Sequence, residues 1–183
     1  LPAGYRIVWG GQFENQQRAQ ARLLLVIPVA LLLIFFVLLG TLRSLRAALL
    51  ILVNIPFAMV GGVVSLWGSG EYLSVPASVG FIALLGIAVL NGLVLVAYFR
   101  QLHTEGHSIG EAVRLGAERR LRPVLMTASI TAFGLVPLLF ASGPGSEIQR
   151  PLAIVVIGGL VTSTLLTLVL LPILFERFGQ SAQ

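Results

Sequence analysis

Five stretches of the chain are apolar over about 20 residues, and this feature limits the possible folds more than any other. They cover residues 23–41, 48–68, 76–99, 123–142 and 151–175, and none contains an Asp, Glu, Lys, Arg or His. A helix of about 20 residues crosses the hydrocarbon core of a bilayer and satisfies its own backbone hydrogen bonds there. We therefore predict an all-α membrane protein, a bundle of five transmembrane helices in contact with membrane lipid.

The charged residues are few and of unusual kinds. Only 10% of the 183 residues are charged, whereas soluble domains contain about a quarter. The net charge is +5, with twelve Arg and no Lys, but no charge run resembles a nucleic-acid-binding arm, so we expect no nucleic-acid partner. The absence of Cys excludes disulfides, zinc–thiolate sites and thiol catalysis.

No motif in the sequence indicates an enzyme. There is no glycine-rich phosphate-binding loop and no nucleophile–base pair, so an ATPase or hydrolase has no support and no cofactor is expected. His103 and His107 flank Glu105 and could present two imidazoles on one helix face. A polar loop interrupted by glycine is a poor metal site, so we predict no metal ligands.

The first 22 residues differ from the rest of the chain. Residues 5–9 alternate like a strand, Gly10 and Gly11 interrupt them, and residues 14–22 are polar, compatible with a helix, and continue into the first span. A single strand is not stable alone. We interpret residues 1–22 as the end of another domain, residues 23–183 as the membrane bundle, and the chain, which begins with Leu1, as a fragment.

The arginines predict the orientation of the bundle. When the five spans are threaded through a membrane, eight arginines share one side: Arg43, Arg46, Arg100, Arg114, Arg119, Arg120, Arg122 and Arg177. The other side has Arg6, Arg18, Arg22 and Arg150. Positive residues concentrate on the cytoplasmic side, so we predict an external N-terminus, periplasmic in a bacterium, and a cytoplasmic C-terminus.

The connections carry helix-start signals. Pro76, Pro123 and Pro151 each stand at the beginning of a span, where the missing proline N–H costs little. Between the third and fourth spans, Ser108 and Glu111 have the spacing of a capping box. We predict a short amphipathic helix there, lying on the inner membrane surface.

Small residues recur along the spans at helical spacing. Such stripes let helix backbones approach closely in lipid. They fit either static packing or a sliding face between helices that move. The residues predicted to pack are Gly61, Gly62, Gly86, Gly92, Gly158, Gly159 and Ser163.

Polar residues inside or beside the spans are the candidate functional groups. Asn54 and Asn91 either find a partner on a neighbouring helix or mark a polar site. Thr127 and Thr131, one turn apart, either bond carbonyls of their own helix or face a water-lined relay. Arg120 is either an anchor at the membrane surface or is drawn into the bundle by a carboxylate of another helix.

Several strings together resemble the resistance–nodulation–division (RND) transporters. They are residues 1–5, 9–15, 54–58, 74–84, 91–92, 120–127, 143–151 and 158–159. The resemblance covers essentially the whole chain and implies the end of the second porter region followed by spans eight to twelve of a twelve-span pump. It also implies a homotrimer in the inner membrane of a Gram-negative bacterium, driven by proton influx. The partners implied are the missing N-terminal half, a periplasmic adaptor and an outer-membrane channel.

The resemblance also implies roles for single residues. Arg120 and Thr127 match an Arg and a Thr of the relay in drug-exporting members, and Asn91 matches the Asn that follows the relay Lys. The Lys position holds Leu90, and the loss of this Lys together with the strings at residues 75–81 and 147–151 resembles the heavy-metal branch. Copper and silver exporters have a Glu there, a Lys at the position of Val124, and conduits rich in Met, whereas this chain has two Met.

The resulting hypothesis is the C-terminal membrane part of a proton-driven exporter of divalent metals of the cobalt–zinc–cadmium type. Arg120, Thr127 and Asn91 are its expected coupling residues, and the relay acids are expected on the missing half. Two alternatives stay open: an exporter of drugs or other organic compounds, and a non-transporting membrane anchor or assembly module.

Overall fold

The computed structural model of the chain describes residues 11–179, which form a bundle of long helices. The helices are α1 (Gln12–Leu42), α2 (Leu45–Gly68), α3 (Val75–Thr104), α4 (Ile109–Leu139) and α5 (Ser146–Gly179). All five are long and apolar enough to cross a membrane. The predicted five-helix membrane fold is confirmed, while the predicted strand at residues 5–9 lies outside the described residues.

Serine caps begin three of the helices. The hydroxyls of Ser44, Ser74 and Ser108 each accept a hydrogen bond from the backbone N–H three residues later, at 3.3–3.4 Å. Such caps satisfy one of the four free N–H groups at a helix start. At Ser108 the bond is reciprocal, because the Glu111 carboxylate accepts from the Ser108 backbone N–H, so the predicted capping box is confirmed.

The helix that follows this capping box is not short. It continues through Arg122 and Pro123 to Leu139, so the prediction of a separate amphipathic helix was wrong. Pro123 lies in the helix interior, and Pro151 likewise lies inside α5, whereas Pro76 stands at the helix start as predicted. An internal proline leaves only the carbonyl four residues earlier without its donor, a loss that neighbouring groups can compensate.

The helices run alternately up and down, so their ends gather in two groups. At one end, Phe99 near the end of α3 contacts Phe175 near the end of α5, with ring centroids 5.3 Å apart. The Arg100 guanidinium there donates to the backbone oxygen of Leu42, the last residue of α1. We call this the arginine-rich end, since it holds Arg43, Arg46, Arg100, Arg114, Arg119, Arg120, Arg122 and Arg177. At the opposite end, Arg150 of α5 lies 3.9 Å from Glu71 in the α2–α3 connection.

The core lies between α2, α3 and α5. Half of the most apolar window of α2 and of α3, and 44% of that of α5, is buried, compared with 6% for α1 and for α4. Helix α1 contacts α2 and α3, and α4 contacts α3 and α5. The two peripheral helices therefore leave most of their surface uncovered by the described residues.

Candidate functional site

Close helix contacts at small residues hold α2 against α5. A Cβ added at Gly61 would overlap the Thr162 side chain and lie 2.8 Å from the carbonyl oxygen of Gly158. A Cβ at Gly158 would overlap the Ser65 hydroxyl group. The two backbones therefore approach as closely as their atoms allow, which is how helices associate in lipid.

The other predicted packing residues lie at different contacts. A Cβ at Gly62 would lie 2.7 Å from the Phe81 ring, and one at Gly92 would lie 3.2 Å from Ile51, so these glycines are at the α2–α3 contact. A Cβ at Gly159 would overlap Leu84. Ser163 is fully buried.

Gly86 differs from the other predicted packing glycines. It is exposed, and a Cβ there would meet no atom within 4 Å. No described residue packs against it, so its predicted packing role stays a prediction.

A buried hydrogen bond crosses the α2–α5 contact. The Asn54 amide donates from Nδ2 to the Thr167 hydroxyl at 2.9 Å, and the side chains are almost completely buried. The prediction that Asn54 finds a partner on a neighbouring helix is confirmed. Its Oδ1 atom and the Ser163 hydroxyl have no hydrogen-bond partner among the described residues, so this contact has a polar interior.

Asn91, the second amide in a span, is placed differently. It is 9% exposed on α3, and its Nδ2 atom has no hydrogen-bond partner among the described residues. The preceding residue, Leu90, is 59% exposed and points away from the core. Among the described residues, Asn91 forms no hydrogen bond with Arg120 or Thr127.

Thr127 and Thr131 bond their own helix. The Thr127 hydroxyl donates to the Pro123 carbonyl, and the Thr131 hydroxyl donates to the Thr127 carbonyl, both at 2.9 Å. Thr127 is also exposed, together with Met126 and Ile130 of the same helix. Of residues 123–139, Val124 alone is buried, so the membrane part of α4 presents a broad uncovered face.

Arg120 lies at the arginine-rich end of this helix. Its guanidinium carbon is 4.6 Å from the centre of the Tyr98 ring on α3, and the side chain is half-buried. Thr127 lies seven positions after Arg120, which is about two helical turns, so both lie on one face of α4. Within residues 11–179, Arg114 of α4 forms an ion pair with Glu118, whereas Arg120 forms none with a carboxylate.

Sequence reasoning missed Tyr98. It receives a hydrogen bond from Arg119 at 3.3 Å on its hydroxyl, in addition to the Arg120 contact on its ring face. The available signal was an aromatic residue near the end of the third span, seven positions after Asn91. Aromatic residues at that depth are common membrane anchors, so this signal alone does not single out Tyr98.

The histidines do not form a metal site in the described residues. His103 lies with Nδ1 3.0 Å from the His107 backbone oxygen, and His107 lies 3.9 Å from Glu111. No group of three or more His, Cys, Asp or Glu side chains that could hold a metal occurs in residues 11–179.

Comparison with known proteins gives a consistent result over the whole chain. The model of the AcrB/AcrD/AcrF family matches residues 1–179. The cobalt–zinc–cadmium resistance protein CzcA of Cupriavidus metallidurans is 54% identical over 176 residues, which cover 96% of this chain and 17% of the relative. The cation efflux system protein CusA of Escherichia coli K12 is 38% identical over 188 residues, covering 96% of this chain and 18% of that protein.

A solved structure agrees with these sequence relatives. A crystal structure of a heavy metal efflux pump superimposes with a TM-score of 0.84 at 49% identity, over 98% of this chain and 18% of that chain. The chain thus spans less than a fifth of the length of each of these proteins.

Proposed function

This chain belongs to the AcrB/AcrD/AcrF family, and from that premise we propose that it is one membrane bundle of a proton-driven pump that exports divalent heavy-metal ions. The main support is α4, whose membrane part is largely uncovered and exposes Thr127, while the half-buried Arg120 on α4 has no carboxylate partner among the described residues. A proton-driven transporter needs ionisable groups at membrane depth, and charged groups there pair with opposite charges. The apolar stretches of the five spans have no acid, so the carboxylates come from helices outside this chain.

In this proposal the position of Arg120 depends on whether those carboxylates are protonated. An ionised carboxylate attracts the guanidinium, and a protonated one releases it. Thr127 and Asn91 complete the coupling region: Thr127 is exposed on the Arg120 face of α4, and the Asn91 amide keeps a free donor on α3.

The choice of divalent metals follows from the relatives and from ligand chemistry. Identity is 54% to the cobalt–zinc–cadmium resistance protein and 38% to CusA. Thioether ligands select Cu(I), and this chain has only Met59 and Met126. Leu90 and Val124 are apolar, so neither position offers a second ionisable group.

The assembly belongs to the same proposal. The bundle docks against the N-terminal half of the pump in a bacterial inner membrane, as one part of a homotrimer that works with a periplasmic adaptor and an outer-membrane channel. The orientation with the arginine-rich end in the cytoplasm is supported by the excess of arginine there.

The decisive experiment is Arg120→Ala in the intact pump. We expect it to abolish resistance to cobalt, zinc, cadmium and nickel while expression and trimer formation stay normal. Arg122→Ala, at the exposed position two residues later, is the matched control and keeps resistance. Undiminished resistance in Arg120→Ala would make Arg120 a surface anchor. If the wild-type pump protects cells from dyes and antibiotics but not from metals, it is a drug exporter instead.

A further inference from the structure

Two adjacent arginines of α4 contact the same tyrosine of α3. Arg120 lies over the face of the Tyr98 ring at 4.6 Å, and Arg119 donates to its hydroxyl at 3.3 Å. Ring face and hydroxyl are chemically separate: the face attracts a cation through its quadrupole, and the hydroxyl oxygen accepts a hydrogen bond. A substitution can therefore remove one contact and keep the other.

The position of Tyr98 is fixed by the packing beside it. Its neighbour Phe99 is fully buried and contacts Phe175 of α5. On the α4 side, a Cβ added at Gly116 would overlap the Phe99 ring and lie 3.5 Å from the Tyr98 ring. Gly116 thus brings α4 close to Tyr98 and Phe99 of α3. Arg120 follows one turn later on the same face of α4 and lies over the Tyr98 ring.

We propose that Tyr98 is a positioning residue for proton coupling, which holds the Arg120 guanidinium on α3 whenever Arg120 is released by the carboxylate of the partner half. This inference rests on the proposed function, since it requires Arg120 to respond to that carboxylate. The ring and the carboxylate then compete for one guanidinium. The ring holds Arg120 while the carboxylate is protonated, and the ionised carboxylate takes it away.

This competition has a definite sign. An available arginine favours the ionised form of the carboxylate, so anything that holds Arg120 back makes the carboxylate easier to protonate. Removing the ring frees Arg120 for the carboxylate, and protonation then requires a lower pH. A cation–π contact at a partly exposed site changes such an equilibrium about two- to fivefold, which corresponds to about 0.3–0.7 pH unit.

Other charged groups at this end are common to all variants. They are Arg114, Arg119, Arg122 and Glu118 on α4, Arg100 and His103 on α3, Glu105 after α3, His107 and Glu111 around the start of α4, Glu176 and Arg177 on α5, and Arg43 and Arg46 beside the α1–α2 connection. Tyr98→Phe and Tyr98→Leu both lose the hydrogen bond from Arg119, so a difference between these two variants reports the ring.

The test is the pH profile of metal transport by the intact pump in proteoliposomes. Tyr98→Leu should move the profile about 0.3–0.7 unit toward lower pH, and Tyr98→Phe, which keeps the ring but not the hydroxyl, should leave it in place. Tyr98→Trp, with a stronger ring quadrupole, should move it toward higher pH, a change that impaired folding does not produce. In an Arg120→Lys background, which keeps a charge but loses the planar stacking group, the Tyr98→Leu shift should shrink.

The outcomes separate this inference from the proposed function. If Arg120→Ala stops transport but Tyr98→Leu and Tyr98→Trp keep the wild-type profile, Tyr98 has no positioning role and the proposed function stands. Equal shifts in Tyr98→Phe and Tyr98→Leu would assign the effect to the hydroxyl and overturn the role of the ring. Normal transport by Arg120→Ala would remove the coupling role of Arg120 and, with it, the positioning role of Tyr98.

Discussion

Gly61→Ala tests whether the α2–α5 contact depends on backbone approach. The new methyl group would overlap the Thr162 side chain and lie 2.8 Å from the Gly158 carbonyl oxygen, a backbone atom that cannot rotate away. Overpacking of this kind costs about 1–3 kcal/mol. Alanine also has a higher helix propensity than glycine by about 1 kcal/mol, which hides part of the loss.

Gly86→Ala is the matched control, because Gly86 is exposed on α3 with no atom within 4 Å of an added Cβ. The propensity gain is common to both variants, so their difference isolates the packing cost of about 1–3 kcal/mol. Adding Thr162→Ala to Gly61→Ala removes the overlapping hydroxyl but not the Thr162 Cβ or the Gly158 carbonyl, so only part of the loss should return.

The assay is heating of the full-length protein purified in detergent, followed by size-exclusion chromatography of the protein that remains folded. The expected order of midpoints is Gly86→Ala at or above the wild type, then the double variant, then Gly61→Ala. Equal midpoints for Gly61→Ala and Gly86→Ala would refute the reasoning, since the helices would then have room at Gly61.

The remaining predictions concern single polar contacts, the first measured in the same thermal assay and the second by amide exchange. Thr167→Val leaves the buried Asn54 amide without its acceptor and should destabilise by about 0.6–1.7 kcal/mol, whereas Thr131→Val, whose hydroxyl bonds only its own helix, should be close to neutral. Equal effects of the two would contradict a structural role for the Asn54 bond. Ser108→Ala removes the capping box with Glu111 and should cost about 0.5–2 kcal/mol of local stability at the α4 start, measured by faster amide exchange there and unchanged exchange in α5.

The helices and the capping box at Ser108 could be predicted because their signals are local. The length of an apolar run decides whether a helix can cross a membrane, and a Ser108–Glu111 pair satisfies a helix start within four residues. The close approach at Gly61 and Gly158 also followed from spacing, since small residues on one face favour helix contact in lipid.

The failures arose where local signals conflict with packing. Pro123 was taken as a helix start, but the helix passes through it and loses only the donor to the Arg119 carbonyl. Gly86 fitted a pattern of small residues, but no described residue packs against it, so its packing role stays a prediction. The contacts of Tyr98 could not be predicted, because they depend on which turn of α4 lies opposite it. The close approach of Gly116 to the neighbouring Phe99 sets that turn.

The helices are buried to different extents, and this difference determines which helix responds first when a carboxylate outside the chain gains or loses a proton. Helices α2, α3 and α5 meet at glycines where an added Cβ would overlap an atom of a neighbouring helix, so these three helices pack closely. Helix α4 buries Ala112, Val113 and Gly116 near the arginine-rich end, and in its membrane part only Val124. Under the proposed function, carboxylates from outside the chain approach the uncovered face of α4 and pull first on Arg120. The pull then reaches the α2–α3–α5 group through the contacts of α4 with α3 and α5. A substitution that separates α4 from Phe99 should therefore weaken coupling more than a substitution in α1 does.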